Sequence, residues 1–178
     1  MTVLFLISSE GHYGMENMLL TLAQSLSTLG VRCVVGVLRD DRFPHVEVGE
    51  HASRLGLAVE IIPCKRFTWS AVSDIRNLVL KHNVDVVHPH GYKADFYAFA
   101  AAWPNRVPLL ATSHNWPSRL PIMRAYAAVD RLVLRKFDKV IVVSDVVERI
   151  LRRWGVSARN LSMIFNGVDI GRFRNTTP

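Results

Sequence analysis

Two cysteines in 178 residues allow one disulfide at most, and both Cys33 and Cys64 fall in or beside apolar, strand-like runs. Free, buried thiols in a reducing cytoplasm are the expected state. No apolar stretch approaches the roughly 20 residues of a membrane-spanning helix. The opening MTVLFLISS has neither a basic leader nor a small-residue cleavage site, so it reads as a first strand and not as a secretion signal. Internal repeats and low-complexity segments are also missing. The dinucleotide fingerprint G-x-G-x-x-G is absent, since Gly11, His12, Tyr13 and Gly14 run into Met15, and a nicotinamide site is disfavoured. No P-loop, nucleophile elbow or Ser/His/Asp set is visible. Zinc is disfavoured because the histidines have no Cys, Asp or Glu at a ligand spacing nearby.

What is present fits one domain with a sizeable core: 49% apolar and 21% charged residues over a length that suits one domain better than two. The net charge of +7 is unevenly spread. Residues 1–118 carry ten Lys/Arg and ten Asp/Glu, whereas residues 119–178 carry twelve basic residues against Asp130, Asp138, Asp145, Glu148 and Asp169. The basic last third favours an anionic partner such as phosphate, nucleic acid or an acidic membrane surface, or is simply a solvated face.

Short β-branched runs alternate with helical periodicity. Strands are expected at 2–8, 31–38, 58–63, 84–90, 108–114, 139–144 and 161–166. The helices between them are expected near 15–29, 45–55, 70–82, 93–102 and 119–136, with a last one capped by Ser144. The first helix carries Met15, Met18, Leu19, Leu22, Ala23, Leu26 and Leu29 on one face, with Gly30 at its stop. This alternation predicts an α/β fold with a doubly wound parallel sheet, whose ligands bind at the carboxyl ends of the strands.

Small and polar residues gather at those ends. Gly14 opens the first helix, where unpaired N–H groups and the helix dipole suit an anion and the missing side chain admits a ligand. Glu16 in the same turn suits the dipole and is read as structural. His88 and His90 flank Pro89 at one strand end, and His114 ends the next, followed by Asn115 and Trp116. A strand-end histidine can donate a hydrogen bond or act as a base. For His88 a buried ring bonded to backbone is the competing reading. Tyr92 and Lys93 pair an aromatic face with a cation at a helix entrance, which suits a sugar, although a solvated helix start would look the same.

In this order and spacing, HYGMEN, DVVHPHGYKAD, LLATSHNW, VIVVSDVVERIL and IFNGVD resemble the N-terminal half of family 4 glycosyltransferases of the GT-B type. The resemblance covers essentially the whole chain. It departs from the family's usual double glycine in the first loop, where Tyr13 precedes Gly14. The resemblance implies a Rossmann-like acceptor-binding domain over residues 1–170. Residues 171–178 would start the interdomain linker, and the C-terminal donor-binding domain, with its E-x7-E region, is expected to be absent. It further implies transfer from a nucleotide-sugar with retention of configuration, with no cofactor and no essential metal. Gly14 would contact the donor phosphates and His114 would be the catalytic-site histidine. His88, His90, Tyr92, Lys93, Asn115 and Trp116 would face the acceptor, and Ser144, Asn166 and Gly167 would line the interdomain edge.

Saccharide or lipid-linked acceptors are implied, within surface polysaccharide or glycolipid biosynthesis. The isolated chain is expected to fold and not to transfer sugar. The 119–136 helix combines Leu120, Ile122, Met123, Tyr126, Val129, Leu132 and Val133 with Arg119, Arg124, Arg131, Arg135 and Lys136. Either it lies on an anionic membrane at the inner, cytoplasmic face, or its apolar stripe faces the core. The alternative function is a non-catalytic Rossmann-like module that binds a sugar phosphate or a protein partner. A nucleic-acid partner is disfavoured, because the basic residues lack interleaved aromatics.

Overall fold

Seven parallel strands form one sheet in the order β3-β2-β1-β4-β5-β6-β7. The computed structural model describes residues 1–8, 14–40, 46–65, 68–102, 107–114 and 120–167. The strands are β1 (Thr2–Ile7), β2 (Arg32–Arg39), β3 (Ala58–Pro63), β4 (Val86–His90), β5 (Leu110–Ser113), β6 (Lys139–Val142) and β7 (Leu161–Met163). The helices are α1 (Gly14–Thr28), α2 (Glu47–Arg54), α3 (Trp69–Lys81), α4 (Tyr92–Ala102), α5 (Pro121–Leu134) and α6 (Asp145–Arg153). The expected elements are all there, with shorter strands at several ends. The last strand stops at Met163 and leaves Asn166 exposed beyond it. Strand β4 starts at Val86, because Asn83 adopts a left-handed turn and the Asp85 carboxylate accepts the Thr2 N–H at 2.6 Å.

Alternation along β1 separates two cores. Val3, Phe5 and Ile7 pack with Leu19, Leu20 and Ala23 of α1 and Val48 and Ala52 of α2. Leu4 and Leu6 face the other way, toward a larger core built with residues of α3 to α6. Strands covered on both faces need continuous hydrocarbon, which is what TVLFLI supplies. Packing is close enough at mid-sheet that a Cβ on Gly36 would stand 2.7 Å from Leu6 Cδ2 and 3.2 Å from Ile62 Cδ1. The buried face of α1 departs in part from expectation. Leu29 is exposed while Glu16 and Leu20 are buried on α1. Helix α5 buries Ala127, Asp130 and Leu134 and turns Ile122, Val129 and Leu132 outward.

Carboxylates pin the opposite, N-terminal edge of the sheet. Asp138 Oδ2 accepts the Leu109 N–H at 2.8 Å, and Glu60 Oε1 accepts from Lys81 Nζ at 2.6 Å and His82 Nε2 at 2.7 Å. Those two hydrogen bonds are the largest cause holding the Glu60 carboxyl below its ordinary range. Both cysteines are free and buried, as expected.

Candidate functional site

The chain runs outward from β1 in one direction through β2 and β3, and returns to place β4 on the other side of β1. The crevice outside the carboxyl ends of β1 and β4 is therefore the topological switch point, where sheets of this kind hold their ligands. Register fixes what meets there. Ile7 pairs with His90, and His90 pairs with Thr112 of β5, so the ends of three strands are level.

Gly14 begins α1 directly above this edge and is exposed. A Cβ built on it would meet nothing within 4 Å, so the backbone is open to solvent or ligand and the glycine is not demanded by internal packing. The turn from β4 into α4 does demand one: Gly91 has φ +90°, a conformation costly for other residues. That glycine was legible within HGYKAD, although it carries no chemistry of its own.

Beneath the crevice three imidazoles lie in a row. The His88 and His90 ring centroids are 4.5 Å apart, His90 and His114 are 6.4 Å apart, and Phe5 packs against the first two. The i, i+2 spacing across Pro89 puts His88 and His90 on one face of β4. Both are buried, at 2% and 1% exposure. His88 Nε2 is 2.9 Å from Thr112 Oγ1, a side-chain partner where the competing buried reading had a backbone one. Neither ring nitrogen of His90 has a hydrogen-bond partner, and neither does His114 Nε2. Burial, and then the nearby His114, pushes His88 down to about 4. Burial, with His88 and His114 adding to it, holds His90 well below its ordinary value. Burial also lowers His114, with the Glu16 carboxylate opposing the shift. All three rings are accordingly neutral near pH 7, able to give or take a hydrogen bond but carrying no charge.

Tyr92 and Tyr126 form a second feature at this edge. Their rings stack at 5.5 Å with planes 6° apart, joining the start of α4 to α5, and Tyr92 is exposed. Lys93 is engaged within the protein along this edge: its Nζ donates to the Cys64 carbonyl at 3.3 Å and lies 3.9 Å from Asp40 Oδ2. Its ammonium ties α4 to the ends of β2 and β3. Ser144 caps α6 by accepting the Val147 N–H, as expected of that residue. Asn166 and Gly167 are exposed beyond β7. Asn115 and Trp116 lie outside the described residues, as do Ser9 to Tyr13 of the opening loop. Among the described residues no group of three or more His, Cys, Asp or Glu could hold a metal ion. Nor is any helix among them long and apolar enough to cross a membrane.

A parallel, doubly wound sheet with a small-residue helix start and polar strand ends at its switch point defines a Rossmann-like domain of the kind that GT-B glycosyltransferases contain. Residues 13–172 match the model of Glycosyltransferase Family 4, and the chain belongs to that family. No curated protein matches it significantly. Similar solved structures include HepE of Anabaena in complex with UDP and glucose, with a TM-score of 0.77 and 22% identity over 96% of this chain and 46% of that one. A glycosyltransferase from Rickettsia africae gives 0.75 and 18% over 99% and 46%. The sucrose-phosphate synthase of Thermosynechococcus elongatus gives 0.72 and 15% over 96% and 49%. At such identities the likeness is one of fold. The chain spans about half the length of these relatives.

Proposed function

We propose that this chain is the acceptor-side domain of a retaining glycosyltransferase. It would move a sugar from a nucleotide-sugar, shared with a donor-binding domain across the cleft, to a saccharide or lipid-linked acceptor, with no metal required. Surface polysaccharide or glycolipid assembly is the pathway class that fits such an acceptor. The observation that carries the reading is the open backbone at Gly14 beside the row of neutral histidines ending in His114. A helix N-terminus with no side chain in the way suits a diphosphate edge. A neutral imidazole with a partnerless Nε2 suits a sugar hydroxyl or the departing phosphate oxygen. The Tyr92–Tyr126 stack supplies an aromatic face on the acceptor side. Because this chain forms one wall of the cleft, by itself it should bind donor weakly and not transfer sugar.

Titrating the isotope-labelled chain with UDP-glucose and following amide and imidazole resonances tests this reading. Shifts should concentrate at Gly14 and His114. Gly14→Val should remove them while leaving the unfolding midpoint in place, because the added side chain enters open space. Shifts scattered over the surface, or none at millimolar donor, would reject the site.

A peripheral position on an anionic membrane is part of the same reading. On α5 the exposed stripe Ile122, Ala125, Val129 and Leu132 lies beside exposed Arg124, Arg135 and Lys136, the pattern of a helix lying in a bilayer surface. Co-sedimentation should rise when phosphatidylglycerol is added to phosphatidylcholine vesicles. Replacing any of those three basic residues by Gln should weaken it about fivefold, from roughly 1 kcal/mol per basic residue near an anionic surface. Equal binding to neutral and anionic vesicles would remove the membrane from the proposal.

A further inference from the structure

A cavity of about 280 Å³ lies between α1 and α2, outside the crevice at the strand ends. One wall is a single line along α1, where Asn17, Thr21 and Gln24 follow one another at four and three residues. The other wall is the end of α2, with His51 and Arg54 one turn apart and Leu55 at the C-cap. Leu20 is buried at the base, where it packs in one core with Val48 and Ala52 of α2. Gly49 seats α2 close on the sheet, since a Cβ there would stand 3.3 Å from Val59 Cγ1 and 3.5 Å from Val37 Cγ2. The floor is therefore hydrocarbon and the rim polar, which is the make-up of a small-ligand site.

Size and chemistry narrow the ligand. Small-molecule sites begin at about 300 Å³, so this cavity takes one ring-sized unit and not a nucleotide-sugar. Asn17, Thr21 and Gln24 can each both donate and accept a hydrogen bond, which matches hydroxyl groups, whereas an anion only accepts. Arg54 is a pure donor, but Glu50 Oε2 lies 3.5 Å from its Nη2 and offsets its charge. Asn17 and His51 are already engaged within the protein and frame the cavity. The Thr21 hydroxyl and the Gln24 amide make no hydrogen bond among the described residues, and the Ser25 hydroxyl goes to the Thr21 carbonyl at 2.8 Å.

We propose that the α1–α2 cavity binds one neutral, hydroxyl-rich sugar unit. Its place on α1 says which part of a substrate that unit belongs to. Asn17 lies one turn from the exposed Gly14, so the polar line starts at the crevice and runs away from it. Thr21, seven residues from Gly14, is about 10 Å along the helix axis, too far for a reacting group. A unit held there is a remote part of a saccharide acceptor whose end lies in the crevice, and holding it positions that end. This last step rests on the function proposed above; the sugar site itself does not.

The test is a resonance titration of the isotope-labelled 178-residue protein with glucose, galactose, mannose and N-acetylglucosamine, each to tens of millimolar, and with inorganic phosphate. At least one sugar should give saturable shifts at Thr21, Gln24 and Arg54, and phosphate should not. Thr21→Val keeps the shape and removes the hydroxyl, and Gln24→Ala removes the amide at an exposed helix position. Each should weaken the sugar about fivefold, the loss of one hydrogen bond, and leave the unfolding midpoint close to wild type. Gly14→Val should leave these shifts in place. No saturable shift with any of the four sugars overturns the site, as does tighter binding of phosphate than of every sugar. Shifts indifferent to both substitutions also overturn it. Should Thr21→Val not fold, Gln24→Ala decides. The donor titration reads Gly14 and His114, so either site can fail while the other stands.

Discussion

Replacing Tyr97 by alanine should cost the fold about 3–5 kcal/mol, the range for emptying a large aromatic site in a packed core. Tyr97 is among the largest fully buried side chains and belongs to the core shared by α3, α4 and the sheet. Its phenol oxygen also accepts the backbone N–H of Thr68 at 2.7 Å, where α3 begins. Tyr97→Phe keeps the ring and removes the hydroxyl, so it should cost about 1–3 kcal/mol for the Thr68 N–H left without its acceptor. The ordering matters more than either value. Denaturant midpoints that put Phe near wild type and Ala near collapse would assign Tyr97 to packing. Equal losses would assign it to the tether between α4 and the segment joining β3 to α3. That segment is also held by Lys93 through the Cys64 carbonyl, so loosening it should disturb the start of α4, where Tyr92 stands. A loss of the larger size is comparable with the whole stability of an ordinary domain, about 5–15 kcal/mol, and Tyr97→Ala should be recovered mostly unfolded at 37 °C.

The sheet was readable because buried parallel strands are plain hydrocarbon: TVLFLI and RCVVGVL announce themselves without reference to anything distant. Strand ends were less exact, since β7 stops where pairing with β6 stops, and pairing is a long-range property. The spacing of His88 and His90 gave their common face, but not that α1 and the strands would bury them. Nor did it give Thr112, 24 residues away, as the partner of His88. Periodicity along α5 showed an apolar stripe without saying which way it would point. The wheel is the same whether Ile122 meets a core or solvent, and only the packing of α4 against Ala127 and Asp130 decides it. Lys93 looked like a ligand contact because Asp40 is far away in the chain.

Acidification should weaken the protein from the ligand edge. An unfolded histidine gains its proton near pH 6.5, whereas His88 in the fold waits until about pH 4. Between those values the unfolded chain holds more protons than the native one, so stability falls as pH drops through the window and is flat above it. For His88 alone that difference corresponds to about 3 kcal/mol at the acid end. His90 and His114 are lowered too and steepen the same descent. The cause is geometric: a proton on one ring faces a neighbouring imidazole in a buried row and, at His90, has no partner for either nitrogen. Denaturant titrations of the wild type from pH 7 to pH 4 should show the loss. His88→Gln should flatten it, because the amide can still meet the Thr112 hydroxyl but has no proton to gain. A wild-type curve that stays level to pH 4 would mean that the rings accept protons in place, and His114 would then meet its ligand as a cation. A descent made shallower by His88→Gln, with the remainder left to His90 and His114, would establish the neutral row, and with it the requirement that whatever binds above His114 be recognised by a hydrogen bond and not by charge.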